Sequence, residues 1–361
     1  MRFLSKLTDH NLGNRIALLR VDFNIDFSAI RLGQDLLRLE AVLPTIKFLL
    51  ERGAKVIILS HRGRPAPKRS EASKRVEFSL ISFVSILEKK LKQKVGFTSN
   101  LSTSQVHRLL RNCRIVLLEN LRFWPGEQKN GLNFAKKLAK LGDFYVNDAF
   151  AVCHRKNASI TQLPKLLPSY AGLLLEKEVK TLSTIMKMPK KPLVLIFGGV
   201  KVEDKIAAIK NLFSKASAIL LGSSIMHKVN FQYFTLLKGN KKVVIPIDWI
   251  SNKRLALDVG PLTVKEYKKY IRGAKTIIWN GPVGKFENPR FAGGSITIAK
   301  AIVKSRALAI IGGGETTALF MRAISNYQSL ISKNKLFLST GGGAMLEFLS
   351  GKELPGIEAL K

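Results

Sequence analysis

Acidic residues are scarce in this chain: 25 Asp and Glu stand against 60 Lys and Arg, a formal net charge of +35. Such a surplus attracts polyanions without specificity and favours anionic small substrates. No basic tail is set apart, however, and beyond denser patches at 68–75 and 88–94 the charge is spread along the sequence. Zinc-finger spacings and RNP-type aromatic motifs are absent too, so no specific nucleic-acid partner is expected. Cysteine is nearly missing. Cys113 and Cys153 match no metal or redox spacing, which predicts two buried, small apolar side chains. No apolar run approaches the ~18 residues of a membrane span. Residues 1–10, MRFLSKLTDH, lack the apolar core of a secretory signal, so a cytoplasmic protein with no membrane partner is expected. The Walker A pattern G-x-x-x-x-G-K-[ST] does not occur; Gly126 to Gly131 has its glycine spacing without the lysine. The dinucleotide pattern G-x-G-x-x-G is missing as well, which counts against a nicotinamide enzyme.

What is present is regular. The 361 residues, 46% of them hydrophobic, suit two domains of roughly 150 to 200 residues with a sizeable core each. In the first half, aliphatic runs end and polar residues follow at once. Ile16 to Val21 leads into Asp22-Phe23-Asn24, and Val56 to Leu59 into Ser60-His61-Arg62-Gly63-Arg64; Ile115 to Leu118 leads into Glu119 to Arg122, and Phe144 to Val146 into Asn147 to Phe150. Helical stretches are predicted between them over Leu36 to Glu51, Leu80 to Leu91 and Phe134 to Leu141. Alternating strands and helices predict a parallel α/β sheet, whose ligands gather at the carboxyl ends of the strands. His61, Arg64 and Arg122 fall there, Arg155 follows shortly after another such end, and Arg38 opens the first long helix. Guanidinium forks converging on one crevice make a receptor for phosphate and carboxylate. Asp22 and Asn24 add polar groups for a hydroxyl.

A helical stretch from Ser169 to Met188 is predicted to connect the halves, ending before Pro189 and Pro192. Beyond it the strand-end chemistry changes from arginine to glycine. Apolar runs lead into Gly198-Gly199, Gly222, Asn280-Gly281, Gly312-Gly313-Gly314-Glu315-Thr316 and Gly341-Gly342-Gly343. Five such junctions provide open backbone for a nucleotide. The last of them, between an apolar run ending at Thr340 and a helix start, suits a phosphate or a developing oxyanion. Lys201 and Lys205, one helical turn apart, can neutralise phosphate oxygens, and Glu315 or Glu287 can reach a magnesium ion or nucleotide hydroxyls. An anion clamp in one half and a nucleotide site in the other, facing each other across a cleft, suit phosphoryl transfer to or from a small acidic metabolite.

The motifs also carry a family resemblance. Arg20-Val-Asp-Phe-Asn24, Leu43-Pro-Thr-Ile46, Ser60-His-Arg-Gly-Arg-Pro65, Leu118-Glu-Asn-Leu-Arg-Phe123 and Val146-Asn-Asp-Ala-Phe150 with His154-Arg155 occur in that order. Gly198-Gly-Val-Lys-Val-Glu-Asp-Lys-Ile206, Trp279-Asn-Gly-Pro-Val-Gly-Lys-Phe-Glu287, Gly312-Gly-Gly-Glu-Thr316, Ser339-Thr-Gly-Gly-Gly-Ala344 and Leu354-Pro-Gly356 follow. In this the chain resembles phosphoglycerate kinases over essentially its whole length. The resemblance implies two Rossmann-like three-layer α/β/α domains with parallel sheets, joined by a hinge helix. The expected boundaries are 1–170 for a substrate domain, 171–188 for the interdomain helix and 189–346 for a nucleotide domain, with 347–361 returning to the first. It further implies a monomer that transfers a phosphoryl group between 1,3-bisphosphoglycerate and ADP, giving 3-phosphoglycerate and ATP, with Mg2+ bound to the nucleotide. By position in the motifs, Asp22, Phe23 and Asn24 would hold the glycerate, and His61, Arg64, Arg122 and Arg155 its remote phosphate. Arg38 would meet the reacting group and Lys201 follow it, with Gly341 and Gly342 beside it. Gly199, Lys201, Lys205, Gly313, Gly314 and Thr316 would cradle the nucleotide, with Glu315 near the metal and Glu287 at the ribose.

The chain departs from the family pattern at several points. Glu315 stands where the family usually has Asp, Val200 replaces an Ala and Asn157 a His. Gly222-Ser-Ser-Ile-Met226 replaces a more glycine-rich segment, and the stretch to Ile245 is short, which bears on the adenine pocket. From a different class, the alternative is a noncatalytic kinase-like protein that binds polyanions through its charge.

Overall fold

The computed structural model describes residues 1–25, 36–65, 76–199, 202–226, 240–252, 255–333 and 335–361. They form two units, Met1–Lys180 with Glu353–Lys361, and Thr181–Lys352. Each is built on six parallel strands, as the alternation of apolar runs and helices predicts.

In the first unit the strands are β1 (Ile16–Arg20), β2 (Lys55–Leu59), β3 (Val95–Thr98), β4 (Ile115–Leu118), β5 (Phe144–Asn147) and β6 (Ser169–Ala171), ordered β3-β4-β2-β1-β5-β6. The central strands read as unbroken apolar runs because helices cover both faces of a parallel sheet. The helix Leu37–Glu51 lays Leu39, Val42, Ile46, Leu49 and Leu50 onto the sheet at helical spacing, in one core with Leu19, Ile58 and Phe83. From β1 the chain runs toward β2, and from β5 toward β6 on the other side. The β1/β5 boundary is therefore the switch point where loops diverge and leave a crevice.

The second unit has β7 (Leu193–Phe197), β8 (Ala218–Leu221), β9 (Val243–Val244), β12 (Thr276–Asn280), β13 (Leu308–Gly312) and β14 (Leu336–Leu338), ordered β14-β13-β12-β7-β8-β9. A separate antiparallel pair is formed by β10 (Trp249–Asn252) and β11 (Leu255–Val259). Here the switch point lies between β7 and β12.

Several boundaries differ from the sequence expectation, among them the helix expected over Phe134 to Leu141, which spans Leu132–Ala139. Ser169–Ala171, expected to be helical, is the edge strand β6, paired with Tyr145–Asn147, and the helix begins only at Leu173. Gly172 separates the two because a Cβ there would lie 2.3 Å from Asp148 Oδ1. Leu80, expected inside a helix, gives its N–H to Glu119 at 2.9 Å, and that helix starts at Phe83. Residues 347–349, expected in the returning segment, continue the helix Gly342–Leu349 of the second unit. The residues grouped with the first unit start at Glu353, where Gly356 N–H donates to the Cys153 carbonyl at 2.8 Å. Cys153 is buried, which pushes its thiol up to about 12, and Cys113 is half-buried. Among the described residues, no helix is long and apolar enough to cross a membrane.

Asp148 accepts the Leu175 N–H at 3.0 Å in the first turn of the helix Leu173–Lys187, yet burial pushes its carboxyl from 3.8 up to about 7. A folded-state pKa above the unfolded one means that the folded chain binds the extra proton. The associated stability is fully present below about pH 4 and is lost as pH rises through about 7. Asp148→Asn should therefore gain on wild type between pH 5 and 8, by on the order of a few kcal/mol. Urea midpoints at the two pH values check this; parallel pH dependences in the two proteins would remove Asp148 as their cause.

Candidate active site

The anion-binding side is assembled from the loops that follow β1, β2, β4 and β5. Ser60 fastens the first two: its Oγ accepts the Phe23 N–H and donates to the Val21 carbonyl, both at 2.9 Å. Asn24 Oδ1 accepts the Gly63 N–H at 2.8 Å, and Asn120 Nδ2 donates to the carbonyls of Arg62 at 2.7 Å and Phe78 at 2.9 Å. These backbone groups lie beyond the strand ladders, so side-chain amides and hydroxyls complete them.

Onto this frame the structure brings Asp22, Arg38 and His61. Arg38 Nη1 lies 3.3 Å from Asp22 Oδ2 and donates to the Asn24 carbonyl at 2.7 Å. His61 Nδ1 is 3.7 Å from Asp22 Oδ1 and 3.2 Å from Arg20 Nη2. Burial raises the Asp22 carboxyl, but Arg38, the Asn24 N–H and Arg20 outweigh it and hold the group below its ordinary value. His61 goes the other way: burial, with Arg20, Arg122 and Arg38, puts it well below the usual imidazole range despite Asp22. It is thus neutral at physiological pH. Burial, together with the neighbouring Arg155, Arg20 and Arg64, pulls even the Arg122 guanidinium down to about 10. That is the signature of crowded like charge, which a bound anion would relieve. Arg64 is exposed and Arg155 half-exposed, and among the described residues neither side chain makes a hydrogen bond or ion pair.

Two residues change standing. Phe23, expected against the substrate, is fully buried and stacks on Phe83 with ring centroids 5.1 Å apart. Arg20, noticed in the sequence only as the start of a motif, is 1% exposed and contacts His61 directly. Its place at the carboxyl end of β1, the central strand, was the available signal.

On the second unit the glycine turns follow β7, β8, β12, β13 and β14, all in one sheet. Their glycines do two different things. At the switch point the turns after β7 and β12 touch backbone to backbone: a Cβ on Gly198 would meet the Pro282 carbonyl oxygen at 2.0 Å. Gly313 has φ +97°, a conformation open to glycine, and precedes the helix Gly314–Ala323. A Cβ on Gly342 would lie 2.5 Å from the Gly313 Cα, whereas Cβ atoms on Gly314 and Gly343 would meet nothing within 4 Å. Open backbone is thus confined to the starts of two helices, where N–H groups and the helix dipole favour anions. Thr316, expected to touch the nucleotide, is buried and accepts the Gly281 N–H at 2.8 Å through Oγ1, so it holds one turn against another. Asn280, unremarked in the sequence, keeps a buried Nδ2 donor without a partner among the described residues, near Gly312 and Gly313. Such a donor calls for a ligand oxygen. Lys205 is buried with its Nζ beside Gly199, and Glu287 is exposed. Lys201 lies outside the described residues.

Glu315 is exposed in the first turn of Gly314–Ala323. Among the described residues, no group of three or more His, Cys, Asp or Glu is disposed to hold a metal. One carboxylate at a phosphate-type turn fits a magnesium ion that arrives with its nucleotide and keeps phosphate and water ligands.

Arginine-rich strand ends on one parallel sheet, with glycine turns at helix starts on the other, are the parts of a kinase built on two α/β domains. A family model for phosphoglycerate kinase matches residues 7–233 and 223–352. Phosphoglycerate kinases of Leptospira biflexa and Thermosipho africanus are 36% and 38% identical to this chain over 400 and 407 positions, covering 99% of it and 98% of each relative. Among solved structures, the phosphoglycerate kinase of Coxiella burnetii matches with a TM-score of 0.78 at 33% identity, over 99% of this chain and 98% of that one. The phosphoglycerate kinase of Pyrococcus horikoshii OT3 matches with a TM-score of 0.79 at 28% identity, over 100% and 98%. The chain belongs to the phosphoglycerate kinase family, whose members are phosphotransferases with a carboxyl acceptor. The noncatalytic alternative is set aside on that ground. Both alignments run longer than the 361 residues here, so these relatives carry segments that this chain lacks.

Proposed function

We propose that this chain catalyses reversible phosphoryl transfer between 1,3-bisphosphoglycerate and MgADP, giving 3-phosphoglycerate and MgATP, as a glycolytic, monomeric, cytoplasmic enzyme. The observation that carries the reading is the Arg38–Asp22–His61 constellation inside an arginine cluster, in a chain of this family. Asp22 and Asn24 orient the glycerate, and His61, Arg64, Arg122 and Arg155 hold its remote phosphate. Neutral His61 serves as a hydrogen-bond donor there, leaving charge compensation to the guanidinium forks. Arg38 faces the carboxyl group that carries the transferred phosphoryl, and Lys201 follows that group, with Gly341 and Gly342 offering backbone N–H groups. Gly199, Lys205, Gly313 and Gly314 cradle the nucleotide phosphates, Glu287 meets the ribose, and Glu315 the magnesium. Phe23 and Thr316 act behind these as supports.

In the glycolytic direction an ADP β-phosphate oxygen forms the new P–O bond as the acyl P–O bond breaks, and the carboxylate leaves. A loose transition state needs little covalent help from the protein; in-line positioning and charge neutralisation supply the rate. Magnesium, when bound with the nucleotide, adds neutralisation of the phosphate oxygens. The test is turnover of purified protein with MgATP and 3-phosphoglycerate, the acyl phosphate being trapped with hydroxylamine. Trapped product that requires both substrates is the expected result; none from a folded protein, with ATP or other nucleoside triphosphates, would end the proposal.

A further inference from the structure

Arg20 is the most deeply buried cation of the cluster, and among the described residues no carboxylate touches it directly. An unpaired buried charge is costly, so something must compensate it. Its Nε–H donates to Ser159 Oγ at 2.9 Å, and that hydroxyl donates in turn to Glu127 Oε1 at 2.6 Å. The other carboxylate oxygen, Oε2, accepts the Ser159 N–H at 2.9 Å. The Ser159 carbonyl takes the Tyr145 hydroxyl at 2.7 Å. Ser159 and Tyr145 are fully buried and Glu127 is 1% exposed, so this is a dry, fully committed chain. At its other end Arg20 Nη2 meets His61 Nδ1 at 3.2 Å. A guanidinium has only donors, so Nδ1 must accept, and the imidazole proton resides on Nε2.

We propose that Glu127, acting through Ser159, is a positioning residue of the anion site. It orients Arg20, which in turn fixes the Nε2–H tautomer of His61. The same carboxylate clamps two loops, since Glu127 follows Arg122 in one and Ser159 follows Arg155 in the other. Their cations therefore meet a phosphate with their spacing already set, and little ordering remains to be done on binding. Neither Glu127 nor Ser159 carries a motif signature, and neither touches substrate in this arrangement. The inference rests on reading the cluster as the phosphate site.

Ser159→Ala cuts the link to Arg20 but leaves the backbone clamp to Glu127; Glu127→Gln weakens both. In the full-length protein labelled with 15N-histidine, the His61 signals, assigned by comparison with His61→Gln, should show Nε2–H alone in wild type and a mixture of tautomers in both variants. The KM for 3-phosphoglycerate should rise about tenfold, the loss expected for a charge-assisted hydrogen bond, with the nucleotide KM and kcat within about twofold. Variants that keep the wild-type His61 spectrum and phosphoglycerate KM overturn the proposal. Should Glu127→Gln fail to fold, Ser159→Ala, which removes a single oxygen, decides alone. A wild-type protein without turnover would instead count against the proposed function. The His61 spectra and calorimetric titration with 3-phosphoglycerate would still test the relay in that case.

Discussion

Arg38→Ala is expected to fold normally and to lose about 10²-fold or more in turnover, the cost of removing one preorganised charge from a phosphoryl-transfer site. The side chain is 23% exposed and among the described residues its polar contacts are Asp22 and the Asn24 carbonyl, so its removal opens no cavity in the core. What it removes is charge. Asp22 then loses the cation that does most to hold it low and keeps the Asn24 N–H at 2.9 Å, so its buried carboxyl moves upward. The acid limb of the pH–rate profile should shift to higher pH along with the fall in kcat, a coupling that a purely structural lesion would not produce. Arg38→Lys keeps the charge and loses the planar fork, so it should fall between wild type and Arg38→Ala. Lys201→Ala is expected to show a comparable loss, an expectation that follows from its motif position. Wild-type kcat in either alanine variant would remove that residue from the mechanism.

Gly198→Ala is expected to disrupt the second unit rather than its chemistry alone. The added Cβ would stand 2.0 Å from the Pro282 carbonyl oxygen, 2.5 Å from its carbon and 2.7 Å from the Gly281 oxygen. All three are backbone atoms of the turn after β12, and that turn is held in place, because Gly281 N–H is bound to Thr316 Oγ1 at 2.8 Å. Neither partner can yield cheaply, so the methyl group should cost roughly 3 kcal/mol or more. For a unit of this size that corresponds to a fall of roughly 10 °C in its melting temperature. Gly314→Ala is the control, since its Cβ meets nothing within 4 Å. It should leave melting unchanged and raise the nucleotide KM. Equal melting temperatures for Gly198→Ala and wild type would show that the two turns do not need their close approach.

The strand ends were legible because a parallel sheet with helices on both faces leaves only one place for polar residues. Asp22, His61 and Arg122 each lie in the short polar segment that follows an apolar run, and the structure gathers all three. Legibility failed where a residue's role depends on what packs behind it. Phe23 shares the loop with Asp22 and Asn24, but its ring turns into the core against Phe83. Thr316 shares the glycine turn with Glu315, but its hydroxyl faces Gly281. Ser169–Ala171 has no pattern that separates a short edge strand from a helix start. It becomes β6 because Asp148 leaves no room for a side chain at position 172.

The sequence by itself determined two parallel α/β sheets, the change from arginine to glycine at the strand ends and the motif order that marks the family. These follow from local rules: hydrophobic period, turn residues and residue type at a strand's end. Only the tertiary structure decided which glycines are open and which serve backbone contact, and which of two neighbouring residues faces the crevice. It also decided that Arg20 is tied to Glu127, 107 positions away in the chain. Such facts depend on distances between segments remote in sequence, where a displacement of about 1 Å separates a hydrogen bond from no contact.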